Sequence, residues 1–381
     1  MTGMPTDRTR RRVLQAGAGT LLAGLAGCRL ARGPADGGES RLRITLSGQA
    51  LMTHTLCADP YAGLEDVVAE LHRGDAVFTG LEAPVRTARS GSPTREGMFL
   101  HVAPPEVPGC LREMGFNVVA LANNHAWDLG TEGILATRES VAAVGLAMAG
   151  TGRNLAQASA PGILEIAPRV ALVAMATGKI AEGAAATATR AGVNEVRMTG
   201  EQLHAEDVDR NLAAIEAAAS QADYVIVYLS NHQWGEDKAT TKPWARSFAR
   251  QCVDAGGDVF VAHGAPLLHG IELYRGRPLF HCLGSLVFHS RTPPGYYPPE
   301  VWESVIVHCD FAGGRLLGLT VVPVLLNERG DDPERHLQTR GRPRLATGVG
   351  RRRILDRLSA LGAALGTSLG PDGVLVLGTG V

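Results

Sequence analysis

The chain has 381 residues, of which 45% are hydrophobic, 20% charged and 5% aromatic. This length suits one large α/β domain with an extension, and the composition excludes a disordered polyelectrolyte. The formal net charge of -1 comes from 37 Lys and Arg against 38 Asp and Glu. Such a balance provides no basic footprint for sequence-independent nucleic-acid binding, so we expect no nucleic-acid partner.

The first residues have the pattern of an export signal. An arginine pair, Arg11-Arg12, precedes an apolar run over residues 13–26 that is too short to span a bilayer. The run leads through small residues into Cys28, which resembles the lipobox of bacterial lipoproteins. A basic start followed by a buried helix is the alternative, but it does not account for three elements in this order. The sequence predicts a twin-arginine signal peptide over residues 1–27 and lipid attachment at Cys28.

The lipid is the predicted membrane anchor of an exported protein that faces the outside of the cell membrane. Residues 28–40 contain Gly33-Pro34 and Gly37-Gly38, which is typical of a flexible tether. No later apolar stretch approaches the 18 residues of a spanning helix.

Five further cysteines lack CxxC spacing, and their odd number leaves at least one thiol free in an oxidising compartment. They are predicted to be buried, unreactive thiols: Cys57, Cys110, Cys252, Cys282 and Cys309.

Apolar periodicity predicts alternating strands and helices along the chain. Strands are predicted over residues 42–47, 76–79, 117–122, 169–176, 224–229, 259–262, 271–274, 279–282, 304–309 and 316–322. Helices are predicted over residues 64–73, 105–114, 132–144, 202–221, 244–255 and 354–365. Repeated strand–loop–helix units followed by a β-rich part indicate a layered α/β sandwich. It is predicted over residues 41–325, with an Arg-rich C-terminal extension over residues 326–381.

Polar side chains stand where five of these strands end. In α/β sheets ligands collect outside the carboxyl ends of the strands, so we expect these side chains to meet in one pocket. A single histidine there would usually be a hydrogen-bonded core residue, but five exits in register are hard to explain in that way. Imidazole, carboxylate and amide oxygen together suit a divalent ion such as zinc, manganese or iron. The exits carry Gln49, Glu82, Asn123-Asn124-His125, Asn231-His232 and His263.

The segment Leu121-Ala122-Asn123-Asn124-His125, followed by Asp128 and Gly130, resembles the ANNHxxDxG signature of the CapA family. These are capsule and poly-γ-glutamate synthesis proteins, distant relatives of calcineurin-like metallophosphoesterases. The resemblance covers roughly residues 42–288, with every motif in order. Other segments that resemble family motifs are Leu81-Glu82-Ala83-Pro84, Gly150-Thr151-Gly152-Arg153-Asn154, His263-Gly264 and Gly270-Ile271-Glu272-Leu273-Tyr274.

The resemblance implies a metallophosphoesterase-like α/β/β/α sandwich with a two-metal pocket. By position, Asn124, His232 and His263 would hold one metal, and Glu82 would bridge toward the second. A bridging water with a lowered pKa would be the nucleophile.

Two further residues of the signature are implied to act without binding metal. His125 would face the substrate as a general acid, or as the electrophilic partner of a developing oxyanion. Asp128 would orient His125 or its loop rather than contact a metal.

Two positions depart from the family pattern. Many members have Gly-Asp at the first strand exit, where this chain has Gly48-Gln49, and a neutral amide is a poor metal ligand. A later family histidine aligns with Pro266, which cannot ligate. Both losses fall on one site, so we expect one bound metal beside a site that is vacant or remodelled by His54 or Glu236. Asn123 and Asn231 are further candidates for the pocket lining, together with Gln49.

The C-terminal extension carries a cluster of arginines that can bind a polyanion, although a solvated basic face is the expected role. The cluster consists of Arg340, Arg342, Arg344, Arg351, Arg352 and Arg353.

Two classes of function remain open. The favoured class is a metal-dependent hydrolase or transferase that acts outside the membrane on a phosphoester or a polymer bond. The other is a non-catalytic envelope protein that binds or guides an anionic extracellular polymer, such as poly-γ-glutamate, or its precursor. The intact His125 favours chemistry, whereas Gln49 and Pro266 favour reduced or altered chemistry.

Overall fold

The computed structural model describes residues 40–234 and 236–376. The predicted signal peptide, the lipid-bearing Cys28 and all of the predicted tether except Ser40 lie outside the described residues. In the part of the chain that is described, no helix has the length and apolar character needed to cross a membrane.

The strands are numbered in chain order. They are β1 (Arg41–Ser47), β2 (Gln49–Leu51), β3 (Ala76–Gly80), β4 (Val118–Ala120), β5 (Ala147–Ala149), β6 (Thr151–Gly152), β7 (Gly162–Leu164), β8 (Val170–Thr177), β9 (Gly192–Val193), β10 (Met198–Thr199), β11 (Gln202–Leu203), β12 (Tyr224–Asn231), β13 (Val259–His263), β14 (Ile271–Tyr274), β15 (Arg277–Phe280), β16 (Ser285–Phe288), β17 (Glu303–Ala312), β18 (Arg315–Leu326), β19 (Pro343–Leu345), β20 (Ser368–Leu369) and β21 (Leu375–Val376).

The helices lie between these strands. They are α1 (Leu64–Leu71), α2 (Val107–Glu113), α3 (Gly130–Ala143), α4 (Leu155–Ser159), α5 (Ala205–Gln221), α6 (Pro243–Asp254), α7 (His336–Thr339) and α8 (Gly348–Ala363), with short 3₁₀ turns at Gly97–Phe99 and Pro299–Trp302.

Two large sheets form the centre of the fold. One has the strand order β19-β18-β17-β1-β3-β4-β5 and the other β14-β15-β13-β12-β8-β7. The neighbours β1, β3, β4 and β5 are parallel, as are β8, β12, β13 and β15. Successive side chains of a strand point to opposite faces of its sheet. Phe78 of β3 and Tyr228 of β12 therefore meet in one buried cluster between the sheets.

Helices cover the outer face of each sheet. Val77 and Val119 point away from the sheet interface and pack with Leu71 of α1 and Leu111 of α2. On the other side, Val225 and Phe260 belong to a cluster that includes buried residues of α5 and α6. This arrangement confirms the predicted α/β/β/α sandwich.

The chain beyond residue 326 adds to the first sheet, because β19 pairs with β18 in antiparallel register. Two arginines of this segment are buried rather than solvated: Arg340 is 0% exposed and Arg342 is 4% exposed. Their guanidinium groups lie over the rings of Trp302 and Tyr61, at 4.8 and 4.9 Å from the ring centroids. The expectation of a solvated basic face is therefore wrong for these two residues. Besides the aromatic faces, backbone carbonyls accept from Arg340 and the carboxylate of Asp59 accepts from Arg342.

One expectation for the cysteines is also wrong. Cys57 and Cys110 form a disulfide, because the loop before α1 lies against α2 in the fold. The two residues are 53 positions apart, and such a separation gives no local sequence signal. Cys252, Cys282 and Cys309 are buried free thiols, as predicted.

Candidate functional site

The strand exits that carry polar residues belong to parallel strands of both sheets. Glu82 follows β3, His263 is the last residue of β13, and Tyr228 lies within β12. The hydroxyl of Tyr228 donates to Oε1 of Glu82 at 3.4 Å. Its ring lies 5.3 Å from the ring of His263. The carboxyl edges of the two sheets therefore bring these residues together.

Glu82 is a buried carboxyl group without a cationic partner. It is 2% exposed, and no ion pair in the described part of the chain includes it. Burial raises its pKa to about 8, the Tyr228 hydrogen bond opposes this rise, and the charge of Asp128 adds to it. Without a cation beside it, Glu82 is therefore mostly protonated at pH 7.

Among the described residues, several predicted site residues carry buried polar atoms that lack a hydrogen-bond partner. They are Oδ1 of Asn124, both ring nitrogens of His232, both ring nitrogens of His263 and Oε1 of Gln49. Buried polar atoms are normally paired, so a cluster of unpaired ones requires an explanation. Burial is also the main reason why the pKa of His263 falls to about 3 and that of His232 falls well below its usual value. Both imidazoles are neutral at pH 7, which is the form that binds metals.

A glycine keeps the space beside these groups open. A Cβ atom on Gly80, the last residue of β3, would lie 2.9 Å from Oη of Tyr228 and 3.5 Å from Nδ1 of His263. The first distance is shorter than real Cβ contacts, so a larger residue would displace Tyr228.

Asn123 shapes the loop rather than the pocket surface. Its Nδ2 donates to the carbonyl of Leu81 at 2.7 Å, and its Oδ1 accepts from the amide of His125 at 2.9 Å. Both ends of the side chain are thus occupied, and they link the exits of β3 and β4. Asn124 keeps its side-chain oxygen free because its contact with Arg95 goes through the backbone carbonyl, at 2.8 Å.

His125 and Arg95 both contact the buried carboxylate of Asp128. Oδ2 of Asp128 lies 3.0 Å from Nδ1 of His125, and Oδ1 lies 2.7 Å from Nε of Arg95. Burial raises the pKa of Asp128 to about 6, while Arg95 lowers it. Burial, then the charges of Arg95 and Lys179, lower the pKa of His125 to about 3. At pH 7 the carboxylate is mainly ionised, so Nδ1 of the neutral imidazole donates to it and Nε2 is an acceptor.

Two residues of this network have no signal in the sequence. Arg95 and His101 lie in the loop between β3 and α2, outside the recognised motifs. The ring of His101 lies 4.4 Å from that of His125, and its amide donates to Asp128 at 3.1 Å. These contacts cross 24 positions or more, so residue spacing could not reveal them.

Three other predicted pocket residues have their contacts elsewhere. His54 stacks on His289 with ring centroids 3.6 Å apart. Oδ1 of Asn231 accepts from the amide of Gln233 at 2.8 Å. Glu236 is exposed. Among residues 40–234 and 236–376, no three His, Cys, Asp or Glu side chains stand in an arrangement that could hold a metal ion.

The chain is similar to a capsule synthesis family and to several individual bacterial proteins. A family model described as "Bacterial capsule synthesis protein PGA_cap" matches residues 38–290. The protein y4sH of Sinorhizobium fredii is 27% identical over 84% of this chain and 89% of its own length. The capsule biosynthesis protein CapA of Bacillus anthracis is 28% identical, over 69% of this chain and 61% of its own. The solved NAD nucleotidase of Haemophilus influenzae matches 85% of this chain and 63% of that chain, with 13% identity and a TM-score of 0.42. The family match includes every predicted ligand residue from Glu82 to His263.

Proposed function

Because the chain belongs to the bacterial capsule synthesis family of CapA proteins, we propose that it is a metal-dependent hydrolase or transferase of capsule or poly-γ-glutamate production. Its substrate would be a phosphoester or a bond of an anionic extracellular polymer or its precursor. The family membership supports the polymer context, and the site supports the chemistry.

The observation that carries the proposal is the set of buried polar atoms without a hydrogen-bond partner on three predicted ligands, Asn124, His232 and His263. Within the described part of the chain, the buried carboxyl of Glu82 also has no cationic partner. Carboxylate, amide oxygen and imidazole are the ligand types that zinc, manganese and iron prefer, so the proposed cofactor is one such divalent ion. When bound, the ion supplies Lewis acidity and lowers the pKa of a water molecule. Gln49 adds no charge for a second ion.

His125 is the proposed proton-transfer residue. In the protein alone its Nε2 is an acceptor, held in position by the contact of Nδ1 with Asp128. An anionic group beside the ring would favour the imidazolium and raise its pKa. With such a substrate bound, Nε2–H can protonate a departing oxygen, and Asp128 stabilises the charged ring.

We also propose that the protein is exported by the twin-arginine route and held at the membrane by a lipid on Cys28. The order of arginine pair, apolar run and cysteine supports this proposal. The Cys57–Cys110 disulfide supports it independently, because disulfides persist in oxidising compartments outside the cytosol.

The experiment is a turnover assay on the purified chain with each metal, using a panel of phosphoester and γ-glutamyl substrates. His125→Asn should lower turnover about 10²–10⁴-fold while metal content and thermal unfolding stay unchanged. His72→Asn, at an exposed position after α1, is the matched control and should retain full turnover. Full complementation of a deletion strain by His125→Asn would contradict a catalytic role.

A non-catalytic role is the second candidate, and Gln49 is the residue that favours it. This buried amide stands at the first strand exit, where the family pattern has an acid, and its Oε1 is unpaired. With a single carboxyl left, the pocket would bind or guide an anionic polymer without cleaving it. In that case His125→Asn should keep both polymer affinity and complementation.

A further inference from the structure

Lys179 has an unfavourable backbone conformation at the edge of the site. It follows Gly178 directly after β8, and its φ angle is 55°. In the described part of the chain, the other non-glycine residue with positive φ is Arg275, at 51°. The side chain of lysine offers no local hydrogen bond that favours this region, so the conformation must be imposed by its surroundings.

Arg275 provides an internal comparison. It lies in the turn between β14 and β15, where its guanidinium group is 5.4 Å from the ring centroid of Tyr274 and 2.7 Å from Oδ1 of Asp254. Nζ of Lys179 likewise lies over an aromatic ring, 4.6 Å from the centroid of Trp234. No acidic side chain among the described residues forms an ion pair with it. Both cations lie over an aromatic ring, but among the described residues only Arg275 forms an ion pair with an acidic side chain.

The ammonium group of Lys179 lies close enough to His125 and His232 for its charge to act on both rings. The ring of Trp234, beneath it, lies 4.8 Å from the ring of His232. The charge of Lys179 lowers the pKa of both His125 and His232. Lys179 is an exposed residue, and the partial burial of its ammonium group and a second cation, Lys238, lower its pKa. Lys179 and Lys238 are thus two neighbouring cations at this edge of the site.

We propose that Lys179, supported by the ring of Trp234, is a subsite for a carboxylate or phosphate group of the ligand that occupies the pocket of His125 and His232. The cation–π contact holds the ammonium in place, and an oxyanion would supply the missing counter-charge. The inference deepens the proposed function. It rests on that function in one respect, which is that the pocket binds a ligand. It requires neither turnover nor a bound metal.

Glycine substitution separates ligand binding from packing. Lys179→Gly removes the ammonium and also suits the positive φ, so the variant should unfold at an equal or higher temperature. Its affinity for a γ-linked glutamate hexamer or for inorganic phosphate should fall at least about tenfold in calorimetric titration at low salt. Arg275→Gly is the matched control and should bind both probes like the wild type. Lys179→Arg should restore most of the affinity.

The two probes distinguish the source of the anion. A loss confined to the glutamate hexamer identifies a carboxylate subsite, and a loss confined to phosphate identifies a phosphate subsite. Unchanged affinity of Lys179→Gly for both probes, or no binding of either probe by the wild type, would overturn the inference. Loss of turnover in His125→Asn with normal probe affinity concerns the proposed function alone, so the two failures are distinguishable.

Discussion

Glu82 and Glu272 are buried carboxyl groups in opposite electrostatic surroundings, so glutamine at each position should change stability in opposite directions. In the part of the chain that the structure describes, Glu82 has only the Tyr228 hydroxyl as a side-chain donor. Glu272 is 1% exposed and accepts from Arg246, Arg250 and His281 at 2.7, 2.8 and 3.0 Å. Burial would raise its pKa, but these three hydrogen bonds outweigh burial and lower the pKa to about 2.

The direction of the stability change in Glu82→Gln follows from the raised pKa of Glu82. In metal-free protein the folded state holds the proton up to about pH 8, whereas the unfolded chain releases it near pH 4.5. The wild type therefore loses stability as the pH rises between these values, and Glu82→Gln does not. The variant should gain about 3 kcal/mol over the wild type at pH 7 and almost nothing at pH 4.

Glu272→Gln should change stability in the opposite direction. Its lowered pKa contributes stability above pH 4.5 that is lost only as the pH falls through about 2. Glu272→Gln should therefore cost about 3 kcal/mol at pH 7, with little change between pH 6 and 8. Glu272 thus serves as the matched control for Glu82.

The assay is urea unfolding in chelator at pH 5, 6, 7 and 8, followed by tryptophan fluorescence. The difference in unfolding free energy between Glu82→Gln and wild type should grow with pH. A Glu82→Gln variant that is destabilised equally at every pH would refute the reasoning, because it would show that Glu82 is ionised and paired in the fold.

Three further predictions concern the anchor, the metal and the disulfide. Cys28→Ser should release the exported protein from membranes or leave it unprocessed, whereas unchanged fractionation and precursor size would contradict lipid attachment. Purified protein should hold about one divalent ion by elemental analysis, and His263→Ala or Asn124→Ala should each empty the site; two tightly bound ions would contradict a single metal site. Because the Cys57–Cys110 link closes 53 residues, Cys57→Ser should cost up to about 4 kcal/mol in urea unfolding, and no loss would exclude a stabilising disulfide.

The long buried strands could be predicted from sequence because both of their faces are covered. Residues 224–229 read as a continuous apolar run, and β12 spans Tyr224–Asn231. The short strands β2 and β16 could not be predicted, since three or four residues show no period. They exist because they pair with each other across most of the chain, and a single sequence does not reveal that partnership.

The residues of the candidate site also fall into two groups, those that the sequence predicts and those that only the fold brings to the site. Glu82, Asn124 and His263 could be located because strand exits and a recognisable motif marked them. Arg95 and Lys179 come from loops, and only the fold places their charges near His125. The burial of Glu82 without a cation was also hidden, because it depends on how β3 and β12 face each other across the two sheets.

The charges of the pocket connect the proposed metal with the proposed anion subsite. Asp128 and Arg95 neutralise each other through their ion pair, and the buried histidines are neutral at pH 7. With glutamine at position 49, Glu82 is the one carboxylate among the predicted metal ligands, all of which lie in the described part of the chain. The two positive charges of a divalent ion there would exceed the single negative charge of Glu82 by one. Lys179 adds a further positive charge at the edge of the pocket. A pocket with this excess should favour a ligand with two or more negative charges, and removing Lys179 should weaken binding most when the metal is absent.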